Sequence, residues 1–148
     1  MKIREATEGD EREWARMRMK LWPDNLQTHT DEIREYFSGT SVDIEQAFVL
    51  DGDRDSLCGF MELNIRNFAE GSRSPKLPYV EAWYLDEGYR GQGYGKRLMA
   101  VAEKWAMDQG YSELASDTDI ENEKSIAIHK RLGFTETGRI VCLLEKLR

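Results

Sequence analysis

Two spacings of apolar residues alternate along the chain, one with a helical period and one of strand length. Ile3 to Ala6 reads as a short opening strand. Thr7 and Asp10 have the spacing of a helix N-cap, and Trp14, Met17 and Leu21 recur at i, i+3 and i+7, which predicts a helix running to about Leu21. Trp22-Pro23 ends it, because the residue before proline avoids helical angles. Ile33, Tyr36 and Phe37 predict a second helix over about Asp31–Phe37, closed by Gly39. Ala47–Leu50 and Leu57–Ile65 flank the turn-rich Asp51-Gly52-Asp53-Arg54-Asp55 and predict an antiparallel hairpin. After a loop over 67–78, Tyr79–Leu85 predicts another strand, followed by a glycine-dense turn. A helix over about Gly95–Gln109 comes next, with Leu98, Met99, Ala102, Trp105 and Ala106 on one face and Gly110 as its cap. Tyr111–Ala115 reads as a strand, Glu121–Leu132 as a helix stopped by Gly133, and Phe134–Leu147 as two final strands. The unit from Tyr79 to Ala115 makes its two strands parallel neighbours in a mixed α/β sheet.

No repeat, low-complexity tract or linker divides the 148 residues, so a single domain over 1–148 is expected. The charge balance is 21 Lys+Arg against 28 Asp+Glu, a net -7. That is the wrong sign for phosphate backbones or anionic lipid, and it favours cationic partners; neither nucleic acid nor membrane is expected. The start Met1-Lys2-Ile3-Arg4-Glu5-Ala6 lacks the apolar stretch of a signal peptide, which gives a cytoplasmic expectation. Cys58 and Cys142 lie in apolar, strand-like runs and read as buried free thiols.

The stretch richest in chemistry is Tyr89-Arg90-Gly91-Gln92-Gly93-Tyr94-Gly95-Lys96, set between a strand and a helix. Its glycines allow close backbone approach, and the amides that open the helix suit an anion such as pyrophosphate. The spacing is neither the Rossmann fingerprint nor a Walker loop, and spacing alone leaves a simple tight turn open. Asp51, Asp53, Asp55 and Glu62 match positions of a calcium loop, but Ser56 stands in the glycine place and strands flank it, so a solvated hairpin turn is the reading. His29 and His129 are isolated and offer no zinc spacing, so no metal is expected.

Arg90-x-x-Gly93-x-Gly95 resembles the acyl-CoA pyrophosphate loop of the GNAT superfamily of N-acetyltransferases. Asn122, with the helix ending His129-Lys130-Arg131-Leu132-Gly133-Phe134, is similar to that family's second CoA segment, and the order of elements agrees over nearly the whole chain. The resemblance implies a mixed, mostly antiparallel central sheet with flanking helices and acetyl-CoA as co-substrate. The implied cofactor contacts are the backbone of Trp83, Tyr84 and Leu85, then Arg90, Gly91, Gln92, Gly93, Tyr94, Gly95 and Lys96, with Asn122. Many members carry a tyrosine acid at the position of His129, so His129 is a candidate proton donor to the CoA thiolate or a passive helix residue.

Leu21-Trp22-Pro23, Val80-Glu81-Ala82-Trp83-Tyr84-Leu85 and Ala115-Ser116-Asp117-Thr118, followed by Glu121-Asn122, resemble the aminoglycoside 6'-N-acetyltransferases. This implies that Glu81 and Asp117 face a cationic amino sugar and that Trp22 lines its pocket, with Asn25 and Phe68 as further wall candidates. Carboxylates suit a polycation and aromatic walls suit sugar faces. On the residues alone, Glu81 shares a strand face with Tyr79 and Trp83 and equally suits a structural ion pair. Asp117 equally suits a turn cap, and Trp22 a core position. The implied reaction is direct acetyl transfer to the 6'-amine, with Glu81 helping to strip the ammonium proton. Polyamines or protein amino termini as acceptors, or an acetyl-CoA sensor without turnover, stay open. A homodimer is implied by the resemblance and by the apolar run Ile140–Leu144.

Overall fold

The computed structural model describes residues 1–148. In chain order the elements are β1 (Ile3–Glu5), α1 (Glu11–Leu21), α2 (Leu26–Ser38), β2 (Gln46–Asp51), β3 (Leu57–Arg66), β4 (Leu77–Leu85), α3 (Tyr94–Asp108), β5 (Ala115–Ser116) and α4 (Glu123–Arg131). The strands form one sheet in the order β1-β2-β3-β4-β5, antiparallel except for the β4–β5 pair. Alternation along β2 and β3 divides the core between its faces. Val49 and Phe60 pack with Trp14, Met17 and Ile33 of α1 and α2, while Phe48, Met61 and Leu63 pack with Leu98, Met99 and Ala102 of α3.

Local chemistry sets the helix starts. Thr7 and Asp10 close a turn on each other, the Thr7 amide donating to the Asp10 carboxylate at 2.8 Å and the Asp10 amide to the Thr7 carbonyl at 2.9 Å, so α1 begins one residue later. The Asn25 side chain accepts from the Gln27 amide at 2.8 Å and starts α2 five residues before the apolar stripe had suggested.

Two departures from the expected strands shape the functional end of the molecule. The β3–β4 register passes from Glu62↔Ala82 to Leu63↔Val80, leaving Glu81 as an extra, bulged residue. Val80 then packs on the α3 face and Ala82 on the α1–α2 face, so the alternation expected to place Tyr79, Glu81 and Trp83 together is broken. The second departure is that β5 holds only Ala115 and Ser116, and it pairs with β4 at Tyr79 and Val80 alone. The edge of β4 from Glu81 to Leu85 that faces away from β3 therefore has no strand partner.

The expected pair of strands over Phe134–Leu147 does not form. After the Phe134 amide bonds to the His129 carbonyl at 3.0 Å, no backbone group of 135–148 is hydrogen-bonded to the rest of the chain. Ile140, Val141, Leu143, Leu144 and Leu147 are exposed there. A strand needs a ladder partner, and this segment finds none, although Thr137 lies against Gly71. Cys142 is consequently exposed, against expectation, whereas Cys58 is buried and its thiol is pushed up to about 11. No helix is long and apolar enough to cross a membrane.

Candidate active site

The glycine turn and the open edge of β4 form one side of the site. Gly91 (φ 76°) and Gly93 (φ 89°) are left-handed, and a Cβ on either would meet nothing within 4 Å. The backbone conformation requires glycine there, and the space in front of it is clear. Gly93 is the N-cap of α3, and none of the amides from Gly91 to Lys96 makes a backbone hydrogen bond. That is a nest of free donors at a 15-residue helix's positive end, which fits a pyrophosphate. Trp83 fixes the helix to β4, its indole donating to the Gly95 carbonyl at 3.1 Å. A Cβ on Gly95 would lie 3.4 Å from the Trp83 ring, so glycine here lets helix and strand approach.

Other sequence-predicted cofactor residues have different structural work. Arg90 donates to the Leu85 carbonyl at 2.9 Å and braces the turn against β4. Gln92 donates to the Gly88 carbonyl at 3.0 Å. Tyr84 is buried with its hydroxyl on Asp86 at 3.0 Å, so only its backbone is available to a pantetheine arm. Tyr94 lies edge-on to Tyr89, Lys96 is exposed, and Asn122 caps α4 by accepting from the Ser125 amide at 3.1 Å.

The other side of the site is a polar strip on the α1–α2 face, contributed by β3, β4 and the end of β5. Glu62 is fully buried and accepts from the Trp14 indole at 2.9 Å, with Arg18 Nε at 3.2 Å; burial pushes its carboxyl up to about 7. Arg18 is itself buried, also pairs with Glu32, and lies 5.3 Å from the Trp22 ring centroid. The buried His29 ring donates from Nε2 to the Trp22 carbonyl at 2.9 Å, holding that indole at the rim with 37% of its surface exposed. Phe68 is also exposed, while the Asn25 side chain is occupied as the cap of α2.

Further along the strip, Glu81 is gripped by Arg66 through both carboxylate oxygens, at 2.6 and 2.7 Å, and accepts from Asn64 at 3.3 Å. The same guanidinium lies 3.7 Å above the Tyr79 ring, and the Tyr79 hydroxyl donates to Asp117 at 2.7 Å. Burial and the Asp117 charge push the Tyr79 phenol well above its usual value. Glu81 and Asp117, the two carboxylates expected to face an acceptor, are thus joined through Arg66 and Tyr79. Sequence reasoning missed Arg66, Asn64 and Tyr79. The signal for Asn64 and Arg66 was the run Glu62-x-Asn64-x-Arg66, three polar residues on one face of an otherwise apolar strand.

His129 stands between the two sides. Its Nδ1 donates to the Ser125 carbonyl at 2.8 Å, leaving Nε2 to accept from the Ser116 hydroxyl at 2.8 Å. The ring packs edge-on against Trp83 and Phe134, each with centroids 5.1 Å away. Both nitrogens are therefore engaged within the protein.

The Acetyltransferase (GNAT) family matches residues 12–134. An aminoglycoside N(6')-acetyltransferase type 1 of Klebsiella aerogenes is 36% identical over 98% of this chain and 96% of its own length. A second protein of that name, from Serratia marcescens, is 38% identical over 86% of this chain and 87% of its own. Among solved structures, AAC(6')-Iy in complex with the bisubstrate analogue CoA-S-monomethyl-acetylneamine superposes with a TM-score of 0.89 at 27% identity, covering 99% of this chain and 98% of that one. The free 6'-N-acetyltransferase AAC(6')-IG of Acinetobacter haemolyticus gives 0.88 at 27% identity over the full length of both chains. With the bulged, open-edged β4, the glycine turn at the head of α3 and these relatives all in agreement, the chain belongs to the GNAT acetyltransferase family.

Proposed function

We propose that the chain, as one catalytic domain over 1–148, transfers the acetyl group of acetyl-CoA to the 6'-amino group of aminoglycosides and thereby confers resistance to them. The observation that carries this reading is the meeting of two surfaces at Glu81. On one side the free edge of β4 leads to the amide nest at Gly91–Lys96; on the other lies the acidic strip of Glu81, Tyr79 and Asp117. Bound at the nest, with Arg90 and Lys96 nearby, acetyl-CoA supplies an activated acyl carbon beside the backbone of Trp83–Leu85. Trp22 and Phe68 offer apolar walls to a sugar ring, and Glu81 and Asp117 offer partners to its ammonium groups.

In this reading the acceptor ammonium gives up a proton to Glu81, directly or through water, and its nitrogen bonds to the acyl carbon as the carbon–sulfur bond breaks. As the amide forms the nitrogen sheds its second proton to solvent, and the departing thiolate takes one up from solvent. His129, with both nitrogens engaged, positions Trp83 and β5 and does not supply that proton. Catalysis then rests mainly on holding amine and thioester together. Direct transfer requires no acyl-enzyme, and the Cys58 thiol, buried with its pKa raised, is poorly suited to form one, while the exposed Cys142 lies on the carboxyl-terminal segment.

A thiol-release assay across a panel of amines tests the reading. Turnover with 6'-amino aminoglycosides well above that with spermidine or peptide amino termini is expected. Preference for either of the latter moves the acceptor assignment, and acetyl-CoA binding without turnover of any amine points to a sensor.

The same reading places the protein in the cytoplasm as a homodimer. The apolar segment Ile140–Leu147 is exposed, and a cleft of about 850 Å³ borders β5, lined in part by Ala115, Asp117, His129 and Phe134. A second copy of the segment is the natural cover for such a surface. Sedimentation equilibrium at micromolar protein is expected to give twice the chain mass of 17.2 kDa. A monomer at that concentration would contradict the assembly.

A further inference from the structure

We propose that Arg66 is a built-in competitor for the acceptor: its guanidinium holds Glu81, and a cationic acceptor binds by taking its place. The inference rests on the reading that Glu81 faces the acceptor, and it adds the residue that sets which acceptors succeed. The Arg66 fork bonds both oxygens of Glu81 and offsets its charge, so an incoming ammonium meets a carboxylate already paired with a cation unless Arg66 moves.

Arg66 is placed to move. It is the last residue of β3, and 39% of its side chain is exposed, so a change of rotamer carries the charge into water without stranding it. Arg18, the other cation of the strip, is only 5% exposed and wedged between Glu62 and Glu32, and has no such exit. The departure of Arg66 uncovers Glu81, only 18% exposed, and the face of the Tyr79 ring, on which the guanidinium rests at 3.7 Å. A partly buried carboxylate beside an aromatic face is a site for a replacement cation, and Asp117, on the Tyr79 hydroxyl, supplies a second anion beyond it.

The exchange is one cation for another, which favours acceptors with an ammonium at the reacting position and a second charge to engage Asp117. A neutral molecule of the same shape cannot compensate Glu81 once Arg66 has left. An arginine serves better than a lysine as such a placeholder, because its planar fork covers both oxygens and also stacks on Tyr79.

Steady-state kinetics of Arg66→Gln and Arg66→Lys with a 6'-amino aminoglycoside test this. Removing the competitor is expected to lower the acceptor KM by about threefold to tenfold in Arg66→Gln. Arg66→Lys keeps the charge but loses the fork, and is expected to give a KM between that of Arg66→Gln and that of the wild type. The KM for acetyl-CoA should stay within error in both. A fall in acceptor KM is a gain that a damaged fold does not produce. If the acceptor KM is unchanged or rises in both variants, Arg66 is a clamp that holds Glu81 in place and the proposal is wrong. If only Arg66→Gln lowers KM while Arg66→Lys matches the wild type, the effect is overall charge and the displacement is again rejected. Wild-type turnover of the same compound checks the underlying reading separately; an inert wild type removes both.

Discussion

Gly93→Val is expected to abolish acetyl-CoA binding, by at least about a hundredfold or ~2.7 kcal/mol, in a protein that still folds. The Gly93 backbone is left-handed at φ 89°, where a side chain costs about 1–2 kcal/mol. That is a fraction of the ~5–15 kcal/mol by which domains of this kind are stable, and no protein atom lies within 4 Å of the new Cβ to add a clash. The damage falls on the ligand. A branched side chain projects into the clear space before the amides of Gly91–Lys96, at the distance where phosphate oxygens would accept from them. Gly93→Asn separates the two effects, because asparagine tolerates left-handed angles yet still fills that space. Both variants should melt cooperatively and both should show little heat on titration with acetyl-CoA. Wild-type affinity in a folded Gly93→Val protein would remove the nest from the account.

The features that were legible in the sequence are those written in spacing. The hairpin around Asp51–Asp55, the apolar stripe of α3 and the glycines at its start, Gly91, Gly93 and Gly95, appear in the structure where the pattern put them. The start of α2 did not show, since its first turn, Leu26-Gln27-Thr28-His29, is mostly polar and its cap, Asn25, looks like an ordinary loop residue. The bulge at Glu81 was invisible for a different reason: alternation through Tyr79, Glu81 and Trp83 looks unbroken on paper, and only the register against β3 shows the extra residue.

The carboxyl-terminal run is a third kind of case. Ile140-Val141-Cys142-Leu143-Leu144 has the composition of a strand, and composition says that such a segment wants cover without saying which molecule provides it. Within one chain it finds none. At the acceptor side, Glu81 and Asp117 were named from the resemblance, but the pair that joins them was not. A charged residue at the end of a strand, as Arg66 is, reads by default as solvated surface, and the bidentate grip on Glu81 becomes visible only when β3 and β4 are set side by side.

The central claim is that the site presents a 6'-amine to the thioester. A compound with a hydroxyl at the 6' position, otherwise alike, keeps the ammonium groups that Asp117 and the acidic strip attract, so it should still bind. Its turnover should nevertheless collapse, because amines attack thioesters far more readily than alcohols, and proximity gives no advantage when the atom held at the acyl carbon is the wrong one. The loss is expected in kcat more than in KM, which distinguishes a missing nucleophile from a missing contact. Mass spectrometry of the products from a matched 6'-amino and 6'-hydroxyl pair, each incubated with acetyl-CoA and the wild-type protein, is the most direct test. The account predicts a single added acetyl group on the 6'-amino compound and almost none on its 6'-hydroxyl partner; comparable N-acetylation of both would place the reaction at a different amine and contradict it.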